Sequence, residues 1–211
     1  MPDVHSAGEY RVLDAGCGMR MTVDLPPGAH VVGIDISEAA LARNDSVDER
    51  VVGDIEKHPF ASESFDLAVC HDVLEHLEDP VAAVRNLARV VKPGGELDVR
   101  MPILWSVKGL LTKLTPYRFH VWCYRRLFRI ETAGREGHAP FPTRLRIPPS
   151  RLEKELAAAG FEIVFVETWR MRGNLPRALE VTWRLLGVIE RVLPARGATD
   201  YHGRFRKIPV T

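Results

Sequence analysis

The chain has 211 residues, of which 45% are apolar and 27% charged, as is typical of a globular protein long enough to bury a sizeable core. No apolar run reaches the roughly 20 residues that span a bilayer, and the N-terminal segment MPDVHSAGEY lacks the apolar stretch of a secretory signal. The three widely spaced cysteines, Cys17, Cys70 and Cys123, argue against a disulfide framework or a four-thiolate zinc site and indicate a reducing cytoplasm.

Charge is unevenly distributed, although the formal net charge is only +1. The first hundred residues carry 9 Lys or Arg and 19 Asp or Glu, and the remaining residues carry 20 and 9. A basic second half suits an anionic substrate, a nucleic acid or a membrane surface. Because the basic residues are dispersed along the sequence, we expect them mainly to complement the acidic half within one fold.

Short strands and helices alternate over the first hundred residues, which predicts a parallel, doubly wound sheet. The predicted strands are RVLDA (11–15), HVVGID (30–35), ERVVGD (49–54), SFDLAVCH (64–71) and GELDVRMP (95–102). Ser37 is the predicted N-cap of a helix over 37–44. A longer amphipathic helix is predicted over 72–91, kinked or broken at Pro80 and ended by the sequence Lys-Pro-Gly-Gly.

The second half departs from this alternation at 103–148, a stretch rich in aromatic and basic residues that is predicted to hold one or two helices and a loop. Long insertions of this kind are often functional lids. The remaining predicted elements are a capped helix over 149–160, a strand over 161–168, an amphipathic accessory helix over 175–193 and a seventh, edge strand over 203–210. The sequence thus predicts a single three-layer α/β/α domain over 1–211, with a mostly parallel sheet and an antiparallel edge strand.

Four motifs lie where predicted strands end, which is the edge at which open α/β sheets bind ligands. In VLDAGCG, Gly16 and Gly18 let the backbone approach a ligand closely because they lack a Cβ atom. Asp35, at the end of the second strand, is suited to accept hydrogen bonds from both hydroxyls of a ribose. Asp54 can accept from an adenine amine while Ile55 packs against the ring, although Asp54 alone is equally well explained as a polar loop residue.

The ordered set of motifs resembles the class I S-adenosylmethionine-dependent methyltransferases that share LDxGCG, VxGxDxS, GD, SFDxV, DVLEHLxDP and LKPGG. The resemblance implies an open Rossmann-like fold, S-adenosyl-L-methionine as cofactor and S-adenosyl-L-homocysteine as product. It also implies a cofactor site built from the first glycine motif, the acids after the second and third strands, and the residue after the fourth. Carried to this sequence, that site comprises Asp14, Ala15, Gly16, Gly18, Asp35, Ile36, Asp54, Ile55 and His71.

Three features depart from the family pattern. Arg20 stands where relatives usually have a further glycine, and the segment between the first two strands is short and holds two prolines. Relatives also carry an N-terminal helical segment that covers the cofactor, whereas here few residues precede the first strand, so we expect the 103–148 insertion to supply the cover. A nicotinamide dinucleotide is the rival cofactor, but its fingerprint needs a glycine where this chain has Met21.

Histidines are the candidates for acid–base catalysis, because their pKa lies near neutrality. His71 is expected where cofactor and acceptor meet, and His120 and His138 are expected to reach the pocket from the lid. Each of the three is also readily explained as a packing or surface residue. No metal site is predicted, because His71, Glu75 and His76 offer ligands but no fourth ligand is apparent.

The predicted function is transfer of a methyl group to an oxygen or nitrogen of a small-molecule acceptor, such as a secondary metabolite, a sugar or a lipid-linked compound. The alternatives are a cofactor-binding module without turnover and a nucleic-acid methyltransferase. The sequence lacks the Pro-Pro-type tetrad of many base-modifying relatives after the fourth strand, so nucleic acid is not an expected partner. For the 175–193 helix, docking on the sheet or on a second copy in a homodimer is favoured over transient membrane contact.

Overall fold

The computed structural model of the chain describes residues 10–21, 23–103, 105–135, 138–169 and 198–209. Within these ranges it contains seven strands, β1 (Arg11–Ala15), β2 (His30–Asp35), β3 (Glu49–Val52), β4 (Phe65–His71), β5 (Val91–Pro102), β6 (Phe161–Trp169) and β7 (Asp200–Lys207). The α-helices in the same ranges are α1 (Glu38–Leu41), α2 (Pro80–Val90), α3 (Val107–Leu114), α4 (Tyr117–Arg126) and α5 (Pro149–Ala158). The predicted helix over 175–193 lies outside the described residues.

The seven strands form one sheet in the order β3-β2-β1-β4-β5-β7-β6. Strands β1 to β5 pair in parallel, whereas β7 is antiparallel to both of its neighbours, β5 and β6. The prediction of a mostly parallel, doubly wound sheet with antiparallel pairing at one edge is confirmed. None of the helices in the described ranges is long and apolar enough to cross a bilayer.

The seventh strand differs from its prediction in position and in bounds. It covers Asp200–Lys207 instead of 203–210, and it lies inside the sheet, so β6 and not β7 is the edge strand. An interior strand donates hydrogen bonds on both sides, and proline has no N–H to donate. Pairing therefore ends before Pro209, which the prediction had included because it assumed an edge position.

The predicted helix over 72–91 is broken, as the proline inside it indicated. A 3₁₀ turn covers Leu74–His76, and α2 begins at Pro80, where a missing N–H costs nothing because the first turn of a helix leaves its N–H groups unpaired. The Asp79 carboxylate caps this helix by accepting a hydrogen bond from the backbone N–H of Ala82 at 3.0 Å. The break leaves the segment that follows β4 free to line the carboxyl edge of the sheet.

Helix α1 is shorter than the predicted 37–44 and covers Glu38–Leu41. The Ser37 hydroxyl oxygen caps it as predicted, accepting a backbone N–H at 3.2 Å. Its carboxyl end is closed by Arg50, whose Nε donates to the carbonyl of Leu41 at 2.9 Å. A side chain from β3 thus replaces the further turn that the sequence pattern predicted.

Apolar side chains on the two faces of the sheet build two clusters. On one face, alternate residues of β5 pack with buried side chains of α2, α5 and β7, including Leu97, Val99, Met101, Leu87, Leu152 and Phe205. A smaller cluster contains Val12, Val31, Leu41, Val47, Leu67 and Val69. Because the central strands β1, β2 and β4 contribute to both clusters, their carboxyl ends are held side by side.

Candidate functional site

A cavity of about 570 Å³ lies at the carboxyl ends of β1 to β4. Six of the predicted site residues line it together, namely Gly16, Gly18, Asp35, Ile36, Asp54 and Ile55. The rest of the wall includes residues that follow β4 and residues from the end of the 103–148 insertion, namely Asp72, Val73, His76, Leu77, Phe141, Pro142 and Arg144. The structure therefore brings the glycine turn and two of the predicted carboxylates to one concave surface.

Gly16 and Gly18 adopt backbone conformations that suit glycine. Their φ angles are +74° and +52°, in the left-handed region that L side chains rarely adopt. A Cβ atom on Gly16 would lie 2.4 Å from Cγ2 of Val73, whereas a Cβ atom on Gly18 would meet nothing within 4 Å. The turn is thus packed tightly against the segment after β4 at Gly16 and is open at Gly18.

We expect Gly16→Ala to lower the free energy of unfolding by about 2–3 kcal/mol, because it combines backbone strain with an overlap against Val73. Gly18→Ala is the matched control and should cost only about 1 kcal/mol, since strain is its sole effect. Urea denaturation of both variants measures the difference. Equal losses in the two variants would contradict the tight packing at Gly16.

Asp35 anchors the glycine turn from the second strand. Its Oδ2 accepts the backbone N–H of Gly18 at 2.9 Å, and its Oδ1 accepts the backbone N–H of Ser37 at 2.8 Å. Each carboxylate oxygen keeps a further lone pair for a ligand. Asp54 accepts the backbone N–H of Glu56 at 2.9 Å and lies 3.2 Å from the Lys57 ammonium.

A buried side-chain amide, which the sequence analysis did not identify, supports the glycine turn through hydrogen bonds to its backbone carbonyls. Asn44 is fully buried, and its Nδ2 donates to the carbonyls of Cys17 at 3.3 Å and Gly18 at 3.2 Å. Its Oδ1 accepts the backbone N–H of Ser46, whose hydroxyl accepts the N–H of Met21 at 2.7 Å. The described residues between β1 and β2 form no helix, in agreement with the predicted short segment, and this network holds the turn in its place.

Asp14 lies two residues before the first glycine of the turn and is 5% exposed. Burial first, and the nearby Asp35 carboxylate second, raise the pKa of Asp14 to about 7. Its buried Oδ2 has no hydrogen-bond partner among the described residues. Asp14 and the fully buried Ala15 do not line the cavity, so a ligand would have to reach Asp14 past the glycine turn.

His71, predicted to face cofactor and acceptor, is not among the residues that line the cavity. Its Nε2 lies 2.6 Å from Oδ1 of Asp98 on β5, and Nε2 of His202 on β7 lies 2.6 Å from the same oxygen. Arg204 donates to the other oxygen of Asp98 at 2.7 Å. Although burial acts to raise the pKa of Asp98, the hydrogen bonds from His71, Arg204 and His202 outweigh it and lower that pKa to about 2.

His71, Asp98 and His202 place possible ligand atoms within 4.8 Å of one another, which is close enough for a metal ion to be considered. The arginine that pairs with Asp98 already neutralises the carboxylate, and both histidine contacts have hydrogen-bond lengths. The arrangement is therefore complete as a hydrogen-bonded network between three neighbouring strands. These contacts agree with the packing role that the sequence left open for His71 as the alternative to catalysis.

The two histidines predicted to act from the lid also lie outside the cavity lining. His120 is in α4, where its Nε2 lies 2.5 Å from the Thr115 hydroxyl and burial lowers its pKa. His138 is in the loop after α4, and its backbone N–H donates to Arg135 at 3.0 Å. The insertion reaches the cavity instead through Phe141, Pro142 and Arg144.

His76 is the histidine that lines the cavity. Its Nδ1 lies 2.7 Å from the carbonyl oxygen of Pro142, and its ring packs edge-on against Phe141 with centroids 5.8 Å apart. A carbonyl only accepts, so Nδ1 carries the proton and Nε2 keeps its lone pair in the neutral ring. Burial lowers the pKa of His76, and Nε2 lies 3.7 Å from the Glu75 carboxylate.

The insertion is fastened to the same turn through its backbone. The N–H groups of Arg144 and Leu145 both donate to the carbonyl of Glu75, at 2.7 and 3.0 Å. The Arg144 guanidinium forms an ion pair with Glu78 at the rim of the cavity. His76 and Glu75 were visible in the DVLEHLEDP motif, but their partners lie more than sixty residues further along the chain, where no local sequence signal marks them.

A doubly wound sheet gathers a glycine turn and the acids after β2 and β3 around one cavity, which is the arrangement that the motif resemblance to class I S-adenosylmethionine-dependent methyltransferases predicted. Comparison with known proteins gives the same class, because residues 13–98 match the family described as a methyltransferase domain. The similarity to this family extends over residues 13–98 of the chain.

Two curated relatives illustrate the similarity. The chain is 37% identical over 130 residues to the ubiquinone biosynthesis O-methyltransferase of Hahella chejuensis. This alignment covers 53% of the chain and 55% of the relative. It is 31% identical over 156 residues to the protein of the same name from Aliivibrio fischeri, and this alignment covers 69% of the chain and 61% of the relative. The chain thus spans less than two thirds of the length of these two relatives.

Solved structures share the fold at low sequence identity. A SAM-dependent methyltransferase from Methanosarcina mazei superposes with a TM-score of 0.57 at 18% identity, covering 96% of this chain and 94% of the other. The [4+2]-cyclase SpnF superposes with a TM-score of 0.57 at 21% identity, covering 96% and 77%. Because a cyclase is among these neighbours, the fold alone does not decide the reaction.

Proposed function

We propose that this protein transfers the methyl group of S-adenosylmethionine to a hydroxyl oxygen of a small-molecule acceptor. The observation that carries the proposal is a single cavity with two kinds of wall. One wall holds the glycine turn, Asp35 and Asp54, and the other holds His76 with Phe141. Relatives named O-methyltransferases, at 37% and 31% identity, support oxygen as the acceptor atom.

The residues present fit S-adenosylmethionine. The glycine turn is open at Gly18, where a Cβ atom would meet nothing within 4 Å, and Asp35 offers two oxygens to the ribose hydroxyls. Asp54 would accept from the adenine amine while Ile55 packs against the ring. Asp14 carries a buried carboxylate oxygen without a partner among the described residues, and the positively charged amino group of the cofactor would supply one.

His76 is the residue we propose as general base, in place of His71, His120 and His138. When bound, S-adenosylmethionine supplies an electrophilic methyl group on a sulfonium centre. The lone pair of His76 Nε2 takes the proton of the acceptor hydroxyl, and the Pro142 carbonyl holds the ring in the required tautomer. The Glu75 carboxylate, 3.7 Å from Nε2, stabilises the imidazolium that this transfer creates.

The end of the 103–148 insertion serves as the acceptor-side cover in this proposal. Phe141 and Pro142 place apolar surface over the cavity, which excludes water from the reacting groups. Arg144, next to them at the rim, is placed to attract an anionic group of the acceptor. The two backbone hydrogen bonds to Glu75 hold this cover against the turn that carries His76.

Calorimetry with S-adenosylmethionine and S-adenosylhomocysteine tests the cofactor half of the proposal. We expect both to bind, and Asp35→Ala to weaken binding by about 1.5–3 kcal/mol, roughly ten- to a hundredfold, because the ribose loses a bidentate acceptor. Asp24→Ala removes an exposed acid outside the cavity lining and should leave the affinity unchanged. An unaltered affinity in Asp35→Ala would show that the cofactor lies elsewhere.

A panel of hydroxylated acceptors, analysed by mass spectrometry for products heavier by one methyl group, tests the transfer half. Phenols, sugars and lipid-linked quinols represent the acceptor classes. A methylated product excludes the alternative of a binding module without turnover, which is motivated by Arg20 and by the few residues before the first strand. Cofactor binding without product from any of these classes would favour that alternative.

A further inference from the structure

The first part of the insertion is a basic segment without acids. Residues 103–130 contain six Lys or Arg, namely Lys108, Lys113, Arg118, Arg125, Arg126 and Arg129, and no Asp or Glu. The segment includes α3 and α4, and none of the ion pairs among the described residues includes Arg118 or Arg126. The net positive charge of the second half of the chain is therefore concentrated in this segment, although the basic residues themselves are dispersed along the sequence.

The same segment exposes large apolar side chains. The exposed fractions are 78% for Leu114, 52% for Trp122, 51% for Trp105, 48% for Phe119 and 42% for Phe128. Helix α4 has no buried residue at all. Scattered exposed apolar residues are common on soluble proteins, but a contiguous group of them marks a binding surface.

Helix geometry puts the basic and aromatic residues of α4 on one face. At 100° per residue, Arg118, Phe119, Trp122, Arg125 and Arg126 fall within a sector of about 120°. The rings of Phe119 and Trp122 stack with centroids 5.8 Å apart. We call this sector the basic aromatic face; Leu114 ends α3, shortly before α4 in the chain.

The other side of α4 is already occupied by packing within the protein. The Tyr117 hydroxyl donates to the carbonyl of Pro140 at 3.1 Å. Val121 lies so close to Gly134 that a Cβ atom on that glycine would be 2.8 Å from Cγ2 of the valine. The basic aromatic face therefore lies beside this packed side of the helix, with Arg125 at the boundary between the two, where its Nε donates to the carbonyl of Ala133.

We propose that the basic aromatic face docks on the surface of a bilayer that contains anionic lipids. Tryptophan and phenylalanine partition into the headgroup region, and arginines beside them bind lipid phosphates. A groove of about 590 Å³ runs along the boundary of this face and is large enough for one phosphodiester headgroup. Its lining consists of Arg118, Trp122, Arg125 and Arg126 from the face, together with Tyr117, Val121 and Gly134. Leu114, with 78% of its surface exposed, favours lipid over nucleic acid, because an aliphatic side chain offers no ring on which bases stack.

This docking proposal depends only on the surface of the protein and does not rest on the proposed methyl transfer. Sedimentation with vesicles of phosphatidylcholine, with and without phosphatidylglycerol, tests it on the whole protein without cofactor. We expect binding to the anionic vesicles only, with an affinity that falls as salt increases. Brominated acyl chains should quench tryptophan emission, and Trp122→Phe should reduce that quenching.

Arg118→Gln/Arg126→Gln should weaken partitioning about 25-fold, because each cation near an anionic surface contributes about fivefold. Arg125 is left in place since its Nε donates to the carbonyl of Ala133 at 3.0 Å. The matched control, Arg43→Gln/Lys154→Gln, removes the same charge from exposed positions elsewhere and should bind like the unaltered protein.

Three results would overturn the proposal. The first is equal binding by the Arg118/Arg126 variant and the unaltered protein, and the second is equal binding to neutral and anionic vesicles. The third is a different occupant of the face. That would appear as tighter, salt-dependent binding to single-stranded nucleic acid, or as a dimer in analytical ultracentrifugation that Trp122→Ser dissociates.

Discussion

Asp14→Asn is expected to stabilise the cofactor-free protein by up to about 4 kcal/mol at pH 8. The pKa of the Asp14 carboxyl is about 7 in the fold and 3.8 ordinarily, and each unit corresponds to about 1.36 kcal/mol. Because the folded protein holds this proton more tightly than the unfolded chain, Asp14 lowers stability progressively as pH rises from about 4 to about 7. Asparagine has no charge to bury, so the penalty disappears.

Urea denaturation at pH 5 and pH 8 measures this effect. The stabilisation of Asp14→Asn over the unaltered protein should be smaller at pH 5, where the native carboxyl is still protonated. Asp24→Asn, at an exposed acid, should show no such difference between the two pH values. The same Asp14 variant should bind S-adenosylmethionine more weakly, because the cationic cofactor loses its anionic partner. A gain in stability with unchanged affinity for S-adenosylmethionine would show that Asp14 is not part of the cofactor site.

His76→Asn is expected to lower kcat by about a hundredfold or more, the usual contribution of a positioned general base. The affinity for S-adenosylmethionine should stay within about threefold of that of the unaltered protein, because the base acts on the acceptor. Burial lowers the pKa of His76 below its ordinary 6.5, so kcat/KM of the unaltered enzyme should rise with pH along an acidic limb centred below that value. The limb should vanish in the variant.

His120→Asn and His138→Asn make this test discriminating. Both histidines were predicted from the sequence to be catalytic, and both lie outside the cavity lining. We expect their variants to keep the acidic limb of the pH profile. Loss of that limb in either variant, with the limb retained in His76→Asn, would return the catalytic role to the histidine replaced in that variant.

The glycine turn and the acids at strand ends could be predicted from the sequence, because each depends on local chemistry. Gly16 must tolerate a φ of +74°, and Asp35 ends a strand whose register fixes it next to that turn. Parallel neighbouring strands then bring such residues to one edge of the sheet. The fold followed from the same alternation of strands and helices.

The orientation of His71 could not be predicted, because a strand alternates its side chains and a shift of one residue reverses the face. His71 is the last residue of β4 and contacts Asp98, while Asp72, with a φ of +56°, is the first residue beyond β4 to line the cavity. The contact of His76 with Phe141 and Pro142 depends on how a long insertion returns to the sheet. No pattern within a short window of sequence encodes that return.

The position of β7 has a consequence for how the chain folds. This strand enters between β5 and β6, which both precede it in the sequence, and the Arg204–Asp98 contact joins residues 106 positions apart. Closing so long a loop is entropically costly, so we expect this step to limit the folding rate. Until it occurs, β5 keeps an unpaired hydrogen-bonding edge, at which a nascent chain is most prone to aggregate and a chaperone would be most useful.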